Sequence, residues 1–215
     1  MASQVSIVNR ALVKLGESTV LLLTDNVKQA RTMAAIFDDT RDAELRANRW
    51  KFAIKRAQLS ALVDAPAFGY SQQYELPDDY LAMVQVGEFY LRTGMKQRAP
   101  WSIEGRRLLT DMSAPLSIRY VSRVTDTSQF DALFVDALAC RLAMEACEAL
   151  TQSDTKFQRL AAMRKESLDQ ALRVDAIENP PDELPDGTWL ESRTGLSVRI
   201  GSPDGGLWPS GVEVL

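Results

Sequence analysis

The side chains best able to do chemistry in this sequence are its carboxylates. Asp38 and Asp39 are adjacent, as are Asp78 and Asp79, and Glu145 and Glu148 stand three residues apart. A glycosidase-type reaction needs two carboxyls across a cleft, one of them held protonated near neutral pH. Nothing in these spacings selects such a pair. Adjacent acids ordinarily face water, and Asp78-Asp79 follows Pro77 at a helix-start signal, where a helix dipole favours negative charge. The chain has no histidine. That removes every histidine-based triad, the zincin helix and the commonest metal ligand. Its two cysteines are Cys140 and Cys147. Seven residues along one helix separate them by about 10 Å, too far for a disulfide. Two thiols without histidine do not complete a zinc site either, so both read as small buried hydrophobes. The turn Ser202-Pro203-Asp204-Gly205-Gly206 lacks a following lysine and a helix to receive a phosphate, so it is no P-loop. We therefore expect no catalytic residue, no cofactor, no metal and no enzyme activity.

The remaining chemical feature is a basic stretch, 41–56, with six bases and two acids. Arg46, Arg49, Lys51, Lys55 and Arg56 surround Trp50. Such a run can touch phosphates, but it lacks the interleaved aromatics of a stacking platform. It reads first as an intersubunit or partner surface.

Helices must hold most of these residues. Residues 4–15 carry Val5, Val8, Leu12 and Leu15 as one stripe, with Ser3 as cap and Gly16 as stop. Thr19–Leu23 reads as a short extended piece. A second helix is expected over 26–48, capped by Thr24 or Asp25, with Ala30, Met33, Ala34 and Phe37 buried. Its charged residues, Arg31, Asp38, Asp39, Asp42 and Arg46, are expected to face water. Helices over 130–151 and 154–177 follow, capped within 126–131, and the short loop between them implies antiparallel neighbours.

Between the second and third helices the period changes. Lys51–Leu62, Gln72–Leu76, Met83–Leu91, Ser102–Leu109 and Leu116–Val124 read as four or five antiparallel strands, with one helical turn after Pro77. Leu116, Ile118, Tyr120 and Ser122 should share one face and Arg119 and Arg123 the other. The expected fold is α+β and mainly α: an antiparallel four-helix bundle in residues 1–177, with a small antiparallel β region inserted at about 51–124. An extended C-terminal arm, 178–215, completes it. Prolines and glycines deny the arm regular elements. Trp189, Leu196, Val198, Ile200, Leu207 and Trp208 nevertheless make it a candidate partner-binding segment, with Ser197–Gly201 able to add a strand to a neighbour.

Charge is unevenly placed. The arm carries seven acids against two bases, which leaves 22 of 29 acids against 23 of 25 bases in residues 1–177. An overall charge of -4 is unlike that of a sequence-specific DNA binder. No apolar run approaches the roughly 20 residues of a membrane span. No signal peptide is read, and free thiols fit a reducing compartment.

Six strings resemble one family, the tail tubular protein A or head-to-tail adaptor of short-tailed bacteriophages. They are "NRALVKLGE" at Asn9–Glu17, "RDAELRANRWKFAIKRAQL" at Arg41–Leu59, "YELPDDYL" at Tyr74–Leu81 and "IEGRRLLTD" at Ile103–Asp111. "IRYVSRVTD" at Ile118–Asp126 and "FDALFVDALACRLAMEACEALTQSD" at Phe130–Asp154 complete the set. The resemblance covers about residues 5–193. It implies a helical bundle with a smaller β-rich part and a homo-oligomeric ring of twelve copies. The ring would sit in the virion between the portal protein and the tail nozzle protein, tail tubular protein B-like, after assembly in the host cytoplasm. Double-stranded DNA would pass through the lumen without being read, and an acidic balance suits such a lumen because a basic lining would grip phosphates. The alternatives are a tail-associated peptidoglycan hydrolase, which needs a carboxylate pair in a groove, and a non-specific DNA-binding module built on residues 41–56.

Overall fold

The computed structural model describes residues 2–87, 89–90 and 100–178. The arm beyond Glu178, with Trp189, Leu196, Val198, Ile200, Leu207 and Trp208, lies outside the described residues, as does Leu91.

Helix α1, Gln4–Leu15, starts where Ser3 and Ser6 exchange backbone-to-side-chain hydrogen bonds of 3.1 and 2.8 Å. It stops at Gly16, whose φ of 73° is costly for any other residue. Its buried side is Ile7, Val8, Ala11, Leu12 and Leu15, so the stripe is rotated slightly from the expected one and Val5 is half-buried. Residues 19–23 are no strand. The Asn9 amide clamps both backbone groups of Val20 at 2.9 Å, and Asp25 accepts from the Leu21 and Leu22 amides. That use of Asp25 leaves it no part in capping helix α2, Lys28–Ala47, which starts after Val27 without a side-chain cap.

Helix α3, Ala132–Thr151, is capped by Asp131 and ends at Gln152 in a left-handed conformation. It is the central helix, buried along Phe134, Leu138, Leu142 and Ala146 and packed on both α1 and α2. Helix α4, Asp154–Glu178, overturns the four-helix bundle. Along it Leu160 and Ala171 are buried, while Phe157 is 46% exposed. The helix is held by polar contacts instead. Lys156 and Arg159 donate to the Leu15 and Lys14 carbonyls at the end of α1, at 2.7 and 3.0 Å, satisfying acceptors that a helix terminus leaves open.

The β region is also not a small insert. Strands β1 (Ile54–Leu59), β7 (Leu116–Ser122), β3 (Tyr80–Val86) and β4 (Phe89–Tyr90) form one antiparallel sheet in that order. Strands β2 (Gln72–Glu75), β6 (Arg107–Thr110) and β5 (Trp101–Glu104) form a second. The larger sheet separates two cores. Leu81, Val84 and Val121 join the helical core with Phe37, Leu45, Phe134 and Leu138. Met83, Val86, Leu116, Ile118 and Tyr120 face Tyr74, Leu108, Trp101 and Ile103 of the second sheet. The architecture of this unit is therefore helices on a sheet, and that sheet on another, with α2 resting on β3 and β7.

Two expected elements divide at glycines. Ser102–Leu109 is not one strand but a hairpin, β5 to β6, because Gly105 at φ 60° turns the chain. Met83–Leu91 breaks at Gly87, φ 57°. The Pro77-Asp78-Asp79 step makes a turn, with the Tyr80 amide donating to the Pro77 carbonyl at 3.0 Å, and leads straight into β3 rather than into a helix. Lys51–Ala53 is a single 3-10 turn ahead of β1.

Candidate functional site

The acids meet three different fates. Asp38 is surface-exposed and pairs with Arg41 at 2.7 Å. Asp78 is fully exposed and pairs with Arg106. Asp79 is drawn into the sheet region, where Lys55 donates to it at 2.6 Å and the Tyr120 hydroxyl at 2.9 Å. Burial alone would raise the Asp79 pKa, but the bonds from Lys55 and Tyr120 outweigh it and hold the carboxyl below its usual range. The Tyr120 phenol is pushed up to about 12, first by burial and then by Asp79 beside it. These groups lock β1 and β7 to the turn before β3. Their pKa values move away from neutrality, the opposite of what proton transfer near pH 7 asks for.

Glu145 accepts from Thr40 at 2.6 Å and from Arg141 at 3.1 Å. Glu145 and Glu148, with Met144, Phe157 and Asp154, line an open groove of about 530 Å³ where α3 turns into α4. Glu145 and Glu148 thus share one groove, with Glu145 held by Thr40 and Arg141, while Asp38 and Asp78 stand exposed on the surface.

The sequence reading missed Glu44. It is wholly buried, accepting from Arg141 at 3.1 Å, Arg164 at 2.8 Å and Asn48 at 3.0 Å. This carboxylate ties α2, α3 and α4 together. Thr40, Arg41 and Glu44 extend the stripe of Met33 and Phe37 at three- and four-residue steps, which was the available signal. Arg41 is likewise buried, against Asp38 and Asp42, and Arg123 at the end of β7 reaches Asp42 at 2.6 Å. Of the charged residues of α2 expected to face water, Arg31, Asp38, Asp39 and Arg46 are exposed and Asp42 is half-buried; the internal charges are Arg41 and Glu44. Ala34, expected in the core, is exposed.

The basic stretch disperses. Arg46 donates to the Leu81 carbonyl, joining α2 to β3. Arg49 follows the end of α2 and Lys51 opens the 3-10 turn. Lys55 is engaged by Asp79, and Arg56 points to the other face of β1, opposite Arg119. Trp50 is packed edge-on against Phe134 at 5.1 Å, with its N–H on the Glu44 carbonyl, so its face is not offered for base stacking. Cys140 and Cys147 are free and buried, as expected, and burial pushes the Cys140 thiol up.

Among the described residues, no group of three histidine, cysteine, aspartate or glutamate side chains is placed to hold a metal ion. Among them too, no helix is long and apolar enough to cross a membrane. What the surface does offer is apolar. Leu21 is 88% exposed with Leu22 beside it, and Val63 and Phe68 project from the β1–β2 connection, Phe68 at 88%. Phe68 and Tyr70, with Trp101 of β5, border a groove of about 540 Å³. No family model matches this chain, and no curated protein matches it.

Proposed function

We propose that the protein is a structural component of a bacteriophage virion: a head-to-tail adaptor whose copies form a ring between the portal and the tail nozzle. The observation that carries this reading is the pair of projecting apolar loops. Large side chains held in water are costly, each roughly 1.5–3 kcal/mol short of its buried state. Leu21 and Leu22 lie on the α1–α2 connection, and Val63 and Phe68 on the β1–β2 connection. Two such places on different elements suit a subunit with more than one neighbour. The six strings resembling the adaptor family point the same way, and the overall charge of -4 suits a channel through which DNA slides. In this reading twelve copies close the ring, and the apolar arm residues contact the portal or an adjacent subunit.

Negative-stain electron microscopy of the full chain, alone and mixed with a portal ring of a short-tailed phage, tests this. Closed rings, or cosedimentation with the portal, are expected. Particles of single-chain size in both samples overturn the reading.

A further inference from the structure

The smaller sheet ends in β5, which bonds to β6 on one side and to no described strand on the other. An open strand edge is a template for another chain. Opposed residues of paired strands share a face. Trp101 and Ile103 therefore lie with Thr110 and Leu108 on the side that meets the larger sheet, and Ser102 and Glu104 lie with Leu109 and Arg107 on the other. Both sides are left open at this edge. Tyr74, Leu108 and Thr110 are wholly buried, whereas Trp101 and Ile103 are only half-buried. On the other side Ser102 and Glu104 border the groove of about 540 Å³ beside Phe68 and Tyr70. Glu104 is exposed and has no ion pair among the described residues; Arg107, opposite it, donates to Gln73 at 3.2 Å.

These features select an occupant. It is short, because β5 has four residues. It carries aliphatic side chains on the face of Trp101 and Ile103. On the other face it carries a base, which the Glu104 carboxylate and the rings of Phe68 and Tyr70 both attract. The arm contains such a segment. Residues 196–200 read Leu-Ser-Val-Arg-Ile, between Gly195 and Gly201. In a strand Leu196, Val198 and Ile200 fall on one face and Ser197 and Arg199 on the other. Laid antiparallel to β5, Val198 meets Ile103 and Ile200 meets Trp101. Arg199 then meets Ser102, with Glu104 at the diagonal position, within reach of a long side chain. The arm's other alternating stretch, Val212-Glu213-Val214, would set Glu213 beside Glu104, where like charges repel. Residues 179–195 span up to about 55–60 Å when extended, enough to cross to a neighbouring subunit.

We propose that β5 accepts residues 196–200 of a second copy as an added strand, with that copy's Arg199 seated at Glu104. The proposal rests on the ring reading and gives it a subunit contact. Each copy offers its edge to one neighbour and its arm to the other, the head-to-tail arrangement that closes a ring.

The test uses the full chain carrying Ser102→Cys and Ser197→Cys with a short thiol-specific crosslinker, Cys140 and Cys147 being buried. A ladder of crosslinked multimers on a denaturing gel is expected. Glu104→Arg or Arg199→Glu alone should reduce it about tenfold or more, and the two exchanges together should restore it. A ladder unchanged by either single exchange, or not restored by the double one, overturns the proposal. So does a crosslink confined to single chains, or the absence of any crosslink. If native mass still reports a ring in those cases, this contact falls and the adaptor reading stands; if native mass reports no ring, both fall.

Discussion

Replacing Glu44 by glutamine keeps its shape and removes the charge on which three helices converge. In the native protein Arg141 and Arg164 both reach the same carboxylate oxygen, at 3.1 and 2.8 Å, while Asn48 reaches the other at 3.0 Å. Glutamine offers one acceptor oxygen and one amino group, so at least one of these donors meets another donor. Breaking a buried ion pair by removing one partner costs about 3–5 kcal/mol. Arg141 and Arg164 are 25% and 26% exposed, and Arg141 keeps Glu145 at 3.1 Å. Partial rehydration lowers the expected cost to about 2–3 kcal/mol. For a unit of this size that is a fall in Tm of about 4–12 °C, read by far-UV circular dichroism at neutral pH. Hydrogen exchange should show the loss concentrated in α4, around Leu160–Ala171, where little apolar burial substitutes for the ion pairs. A Tm within about 2 °C of the parent, or exchange rising equally in α1, would refute the view that Glu44 holds α4 in place.

Further outcomes follow from the same contacts. Asp79 is held below its ordinary pKa, so its stabilisation is complete above the unfolded value and fades as pH falls through the folded one; Asp79→Asn should flatten the acid limb of a stability–pH profile. Tyr120 runs the other way: its raised pKa stabilises below the unfolded value near 10 and is lost as pH climbs toward about 12, so Tyr120→Phe should lose the alkaline limb in the same titration. Gly16→Ala should cost about 1 kcal/mol from backbone strain alone, since the nearest atom to an added Cβ is the flexible Lys156 ammonium at 3.6 Å; chemical denaturation measures it. Phe68→Ser should leave the Tm unchanged and weaken ring formation in negative-stain images, because the ring is 88% exposed in the isolated subunit.

Local signals in the sequence read through to the fold and long-range ones did not. Ser3, Gly16 and the Asp131 cap act within four residues of themselves, so their types announce the helix ends. The face of β7 was legible because strand alternation is local: Leu116, Ile118 and Tyr120 are buried together. The placement of α4 was not. Its apolar period describes a stripe and says nothing of whether another helix covers it, and the structure leaves Phe157 out. The size of the β region was hidden for the same reason, since strand order depends on pairings across tens of residues. Gly105 between Glu104 and Arg106 was a visible turn signal, and it divides what read as one strand. Glu44 sat in register with Phe37 on the buried stripe, but a lone acid among bases looks solvated until Arg141 and Arg164 arrive from distant helices.

The central claim is that this chain works as an assembled ring, and mass in solution tests it most directly. Native mass spectrometry of the full chain, alone and with a portal ring, should give a closed multiple of the 23.9 kDa subunit, with twelve copies the expected number. A single subunit mass at every concentration, unchanged by the portal, would contradict it.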